Sequence, residues 1–221
     1  MSADRPQKAD RNNLTAERWA EAALDAMAQG GLNAVAVEPI ARQLGVTKGS
    51  FYWHFTNRGS LVAAALALWE RQETDEILKR VEHVSDPYER IVELFKQANA
   101  SYRAGRLYLA LAASAHKPEV RAAVERVSTR RMDYLHQCYV ALGMNEVEAG
   151  HWSRFAYATF VGNIQIKRDT PQTMPSGQAF SDYLKLMIKT LIPKKAKTVR
   201  SREEAPRDTA EVLPIRKTGS D

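Results

Sequence analysis

Apolar residues recur three and four positions apart along most of the chain, the spacing that keeps them on one face of an α-helix. Trp19, Ala23, Ala26 and Met27 mark a first helix from Thr15, whose side-chain oxygen can cap it, to Gln29, with Gly30-Gly31 as its stop. A short second helix begins near Val37. After Asn57, a good N-cap, the pattern Leu61, Ala65, Leu68, Trp69, Gln72, Ile77, Leu78 and Val81 predicts one long helix to about His83. Asp86-Pro87 opens another, striped by Tyr88, Ile91, Val92, Phe95, Ala98 and Tyr102. Leu107 to Ala115 is apolar nearly all round, as a central buried helix would be. Pro118 opens the next, carrying Val120, Val124, Val127, Leu135, Cys138 and Leu142 and ended by Gly143. The last two run over Glu146 to Arg168 and over Phe180 to Leu191, with Pro193 terminating the fold. The chain therefore reads as all-α.

The stretch from Ala36 to Leu61 has finer structure. Ile40, Leu44, Val46, Phe51 and Phe55 can share one interior, which leaves Arg42, Lys48, Ser50, Tyr52 and His54 to water or a ligand. Gly45 falls where a helix needs a residue of positive φ to stop, and Thr47 offers an oxygen to cap a new one. Helix, Gly turn, helix is also what many compact helical domains contain, so the residues of the second helix decide the reading. Lys48 and Ser50 supply donors at a helix start, where free N–H groups also face an anion. Tyr52, Trp53 and His54 place three rings in succession, and adjacent helical residues point about 100° apart, so at least one ring must be exposed.

IARQLGVTKGSFYWHFTNRGSL resembles the helix-turn-helix of the TetR (tetracycline-repressor) family of bacterial transcription regulators. Trp19-Ala20-Glu21-Ala22-Ala23-Leu24 resembles that family's first helix and Gly31-Leu32 its end, so the likeness covers roughly residues 14 to 62. It implies an N-terminal three-helix DNA-binding domain followed by a larger helical domain for effector binding and dimerisation. It also implies a homodimer that places two recognition helices in successive major grooves of a pseudo-palindromic, double-stranded operator. Carried over by position, Thr47, Lys48, Gly49 and Ser50 meet base edges and phosphates, Tyr52, Trp53 and His54 meet backbone and base methyls, and Arg58 meets a phosphate. The fourth helix connects the two domains, so its displacement swings the reading heads. Three residues depart from the pattern. Ala36 lacks the usual capping hydroxyl, at a cost of roughly 1 kcal/mol. Glu38 puts an acid where it repels phosphate or accepts from a cytosine amino group. Gly59 replaces an acid in the first turn of the fourth helix, which should fray more easily.

Composition adds limits. The net charge of +6 favours a polyanionic partner, yet residues 1–60 hold seven Lys and Arg against six acids, and the segment from Lys194 onward holds eight against five. The DNA reading thus rests on local arrangement. Residues 1–13 read as a flexible arm with Arg5, Lys8 and Arg11, and 194–221 as a disordered charged tail, leaving 14–58 as the DNA-binding domain and 59–193 as the helical remainder. No apolar run approaches the ~20 residues of a membrane span, and MSADRPQKADRNN lacks the apolar region of a secretory signal, so a cytoplasmic protein is expected. A single cysteine, Cys138, excludes an intramolecular disulfide and a multi-cysteine zinc site. No phosphate loop, HExxH or GxSxG is present, and the five histidines are scattered. No enzyme, cofactor or metal is expected.

Two further sets complete the reading. Trp69, Phe95, Tyr102, Met132, His136 and Tyr139 supply bulky walls with a few polar tips, the chemistry of a small-molecule pocket for an unidentified effector. Each is also a good core residue. Trp152, Phe155, Thr159, Phe160 and Gly162 exceed one core-facing stripe, and with Tyr183 and Met187 resemble the family's dimerising pair of helices; the same pair could instead cap a monomeric core. The functional alternative is a helical ligand-binding or protein-interaction module without an operator.

Overall fold

Thr15 starts the first helix as its side chain predicts: Oγ1 accepts the Arg18 N–H at 3.3 Å, and α1 runs over Ala16–Gly30. Gly31, at φ +69°, turns the chain while its N–H donates to the Met27 carbonyl at 2.8 Å. The computed structural model describes residues 15–193 apart from Ser101, so the arm at 1–13 and the tail at 194–221 lie outside the described residues. A 3₁₀ turn, Leu32–Ala34, leads to α2 (Val37–Leu44), α3 (Lys48–Phe51) and α4 (Arg58–Glu70). A π turn, Arg71–Asp75, joins α4 to α5 (Glu76–Glu82), followed by α6 (Pro87–Ala100) and α7 (Tyr102–Ala113). The last three are α8 (Pro118–Ala141), α9 (Glu146–Asp169) and α10 (Gly177–Leu191). No strand occurs among the described residues.

The predicted single helix from Asn57 to His83 is interrupted by the π turn. Its apolar positions still point inward on both sides, which is why periodicity alone reads straight through a one-turn widening. The start of α4 also differs from expectation. Asn57 Oδ1 accepts the Ser60 N–H at 2.9 Å and Ser60 Oγ accepts the Asn57 N–H at 3.2 Å, a reciprocal cap that satisfies two otherwise orphaned donors. A Cβ at Gly59 would stand 3.0 Å from Asn57 Oδ1, so the glycine that departs from the family pattern makes room for the cap instead of loosening the turn.

Burial divides into two clusters. The first joins Trp19 and Met27 of α1, Ile40 of α2, Phe51 of α3 and Leu61 and Trp69 of α4 to Leu107 and Leu111 of α7 and Val120 of α8. The second joins Ile91 and Phe95 of α6, Leu135 and Tyr139 of α8, Ala156 of α9 and Leu191 at the end of α10. The interior of the helix-turn-helix is therefore continuous with the body of the molecule. Polar ties run the same way: Arg103 of α7 binds Asp25 of α1 at 2.6 Å, and Arg71 of the π turn pairs with Glu17 of α1. A rotation of α4 or α7 must carry α1 with it.

Candidate nucleic-acid interface

Gly45 adopts φ +70° and ψ +28°, the left-handed conformation that a side chain would strain, and so turns α2 into α3 as predicted. Phe51 and Phe55 are buried, with Phe51 edge-on to Trp19 at 5.4 Å and stacked on Phe55 at 5.5 Å. Anchoring the chain at 51 and 55 forces the three residues between them outward: Tyr52 is 61% and Trp53 87% exposed, and His54 is exposed too. Among the described residues that indole packs against little, so it is open to an outside surface.

The N-terminal end of α3 differs from the sequence reading in two respects. Thr47 makes no side-chain cap; its carbonyl instead accepts from Ser50 N–H at 3.1 Å and from Ser50 Oγ at 2.9 Å. Lys48 Nζ donates to Glu38 Oε1 across the turn at 2.7 Å. This hydrogen bond and its charge hold the Glu38 carboxyl below the usual carboxylate range and the Lys48 ammonium above its own. The acid that departs from the family pattern thus occupies the foremost cation of the face. Gly49 lies beside Thr47, its absent Cβ 3.6 Å from Thr47 Oγ1, so a side chain would fit without clash.

Arg58 has intrachain partners as well. Its Nε donates to the Val35 carbonyl and its Nη2 to the Leu32 carbonyl, both at 2.6 Å, so the guanidinium ties the start of α4 to the 3₁₀ turn. The side chain is thus a structural clamp, and it remains exposed. Ala36, as expected, contributes no side-chain cap to α2.

The predicted pocket set is largely core. Trp69 is fully buried in the first cluster, and Tyr139 is buried in the second with its hydroxyl on the Leu191 carbonyl at 2.8 Å; burial pushes that phenol well up. His136 Nε2 lies 3.2 Å from Glu146 Oε2 and 3.1 Å from the Glu146 carbonyl, at the start of α9, and Met132 lies outside the cavity wall. The Tyr102 side chain lies outside the described residues. Of the described members of the set, Phe95 lines a cavity between the helices. That cavity opens between the π turn, α5, α6, α7, α8 and α9, with Ile77, Leu94, Leu135 and Phe160 among its apolar walls and Glu73, Tyr108, Arg131 and Tyr157 as polar groups. Charged residues on α8 and on a π turn carry no apolar period, which is why the sequence reading missed Arg131 and Glu73. Burial also pushes the Cys138 thiol up to about 11, which suits a space-filling residue.

The predicted interface set divides as well. Phe160 turns into the cavity with Arg131 Cζ 5.7 Å from its ring centre, Met187 is buried against Asn163 Nδ2 at 2.8 Å, and the Tyr183 hydroxyl donates to Asn163 Oδ1. Trp152 is half-buried beside Tyr139 and Phe155. Phe155 is half exposed, and beyond it lie Thr159 and Gly162, where an added Cβ would meet open space. The sequence reading missed Ile166 on α9 and Leu186 on α10, both exposed. Among the described residues no group of His, Cys, Asp and Glu is placed to hold a metal ion, and no helix is long and apolar enough to cross a membrane.

The pattern described as bacterial regulatory proteins of the tetR family matches residues 20–65, which spans α1 through the first half of α4. Over 53 residues, 24% of the chain, the sequence is 38% identical to the HTH-type transcriptional regulator SrpR of Pseudomonas putida, a match that spans 25% of SrpR. In fold the chain is similar to a transcriptional regulator from Rhodococcus sp. Rha1, with a TM-score of 0.66 and 22% identity over 80% of this chain and 96% of that one. It is also similar to a TetR transcriptional regulator from Legionella pneumophila, with a TM-score of 0.69 and 15% identity over 83% and 100%. The structural likeness establishes the helical architecture beyond residue 65; the sequence likeness establishes the helix-turn-helix. Residues 20–65 thus carry the pattern of the tetR family of bacterial regulatory proteins, on a fold like that of other transcriptional regulators.

Proposed function

We propose that this protein is a sequence-specific DNA-binding transcriptional regulator, a ligand-responsive homodimeric repressor that reads a pseudo-palindromic operator through the major groove. The observation that carries the reading is the clamped row at the end of α3: Phe51 and Phe55 buried, Tyr52, Trp53 and His54 exposed between them. Rings held outward on a rigid frame supply stacking, apolar contact with thymine methyls and hydrogen bonds to phosphate. Thr47, Lys48, Gly49 and Ser50 lie at the adjoining helix start, where backbone N–H groups face an anion. The two-fold partner is a second copy of the chain, docked through the exposed apolar residues Phe155, Ile166 and Leu186 together with Thr159 and Gly162. The effector enters the cavity beside the π turn and lowers operator affinity by binding better to the form whose heads are misplaced.

Selection from random duplex DNA tests the reading. Enrichment of a pseudo-palindrome with half-sites about one helical turn or a little more apart is expected. Tyr52→Ala and His54→Ala should each weaken the selected site by about tenfold or more while the circular dichroism spectrum is unchanged. Absence of any enriched sequence would overturn the proposal and leave a helical ligand-binding module.

A further inference from the structure

Arg131 of α8 is placed unusually for a cation. Its guanidinium lies in the wall of the cavity, among Ile77, Leu135 and Phe160. Nε donates to Thr74 Oγ1 at 3.1 Å and Nη2 to the Glu73 carbonyl at 2.6 Å, so two of its five N–H donors go to neutral oxygens of the π turn. Among the described residues this half-buried cation makes no ion pair; it also faces the Phe160 ring at 5.7 Å and the Tyr157 hydroxyl. Glu73, the nearest acid in charge terms, is itself partly buried, and that burial raises its carboxyl above the usual range in spite of Arg131. The rest of the polar set is neutral: the Tyr157 hydroxyl donates to Tyr108 at 3.1 Å and lies 2.9 Å from Ser128 Oγ. The cavity therefore has a guanidinium at a polar end, with hydroxyl groups and the Glu73 carboxyl beside it, and walls that are apolar elsewhere apart from Gln97.

Such a site discriminates by charge at one end and by apolar length at the other. A carboxylate receives two parallel N–H bonds from a guanidinium in a geometry that no alcohol matches, and the low dielectric around it strengthens the pair. An ammonium head would meet Arg131 as a like charge. The same guanidinium is also what braces the π turn, since Glu73 O and Thr74 Oγ1 both lie within it and Thr74 is 2% exposed. One-turn π segments inside helices are costly irregularities that persist where other contacts hold them. Whatever takes the guanidinium takes that brace away from the junction of α4 and α5. Resting on the ligand-responsive reading above, we propose that the cavity binds an amphipathic carboxylate whose head group pairs with Arg131 and draws it off the π turn, so that the α4–α5 junction reports occupancy to the helix-turn-helix.

The transmission has a short path. α4 shares its buried face with α1 and α3 through Trp69, Leu61, Trp19 and Phe51, and Arg58 fixes its first turn to the Leu32 and Val35 carbonyls. Relaxing a π turn to α-helix shifts one side of the helix by one residue, about 1.5 Å of rise and 100° of rotation. A head packed on α4 cannot ignore that change.

The test uses the full chain without DNA and three probes with the same tail: octanoate, 1-octanol and octylammonium, titrated calorimetrically. Octanoate should bind about tenfold more tightly than octanol, with octylammonium weakest. In Arg131→Gln the octanoate-to-octanol ratio should fall toward one. Glu73→Gln, which removes the competing acid and does not depend on Arg131→Gln folding, should raise octanoate affinity by about threefold. Amide hydrogen exchange over residues 70–76 should quicken when octanoate is bound. Octanol or octylammonium binding as tightly as octanoate, no octanoate binding up to about 10 mM, or a ratio that survives Arg131→Gln would each overturn the ligand class. Unchanged or slower exchange at 70–76 would overturn the link to the π turn. An operator selection that fails leaves these titrations intact, and failed titrations leave the operator intact, so the two readings fall separately.

Discussion

Glu38 and Lys48 sit ten positions apart in sequence and 2.7 Å apart across the turn. On a phosphate surface the carboxylate competes with DNA for the ammonium and adds its own repulsion. Glu38→Gln should therefore tighten binding to any duplex, and the plot of log affinity against log salt should steepen by about one phosphate contact. Fluorescence anisotropy across a salt series measures both; an unchanged slope would show that Lys48 does not leave Glu38 on binding. Arg58 separates a structural role from a DNA role in the opposite way. Loss of two charged hydrogen bonds to the Leu32 and Val35 carbonyls in Arg58→Ala should lower stability by about 1–3 kcal/mol, read by urea denaturation. A simple phosphate ligand would instead weaken DNA binding with stability intact. Neither partnership could be read in the sequence, because the partners lie 10, 23 and 26 positions away. What could be read was the inward pair Phe51 and Phe55, since helical spacing dictates which neighbours then face water.

Among the elements, helix ends were more legible than helix interiors. Thr15, Asn57, Gly31 and Gly45 act as their side chains or missing side chains require, because capping is decided within three or four residues. The π turn at Arg71–Asp75 was not legible, because its width is held by Arg131 from another helix. Thr47 does not cap with its side chain; its carbonyl, not its hydroxyl, accepts from Ser50. The reciprocal cap at α4 matters most for the proposed signal, since a frayed first turn would absorb any movement of α4 before it reached α3. Asn57→Ala removes the acceptor of a 2.9 Å bond and should cost about 1 kcal/mol, seen as a lower urea midpoint. It should also quicken amide exchange over the first turn of α4 while exchange in α8 stays unchanged. Equal effects in both helices would mean that the turn and the body open as one unit.

At the scale of the molecule the bulky residues were easy to find and hard to allocate. Trp69, Tyr139, Phe160 and Met187 all point inward by period, but a period cannot say whether inward means core, cavity or partner. The structure decides by what each side chain touches, and among the described residues it leaves Phe155, Ile166 and Leu186 exposed. A two-fold interface makes a strong test of that remainder, because each substitution enters the contact twice, once from each copy. A carboxylate at Leu186 would face either its own copy or the apolar side chains of α9, with no water to solvate it at the centre of the patch. Leu186→Glu should therefore shift the protein from twice the chain mass to the 24.8 kDa of one chain in sedimentation velocity, with helical content retained because Leu186 supports no intrachain core. The monomer keeps one reading head, so affinity for an isolated half-site should change little while affinity for the full palindrome drops by about a hundredfold or more, the effective-concentration advantage of linked heads. Phe155→Glu should do the same from α9. Dimers that survive both substitutions would place the two-fold contact on another face.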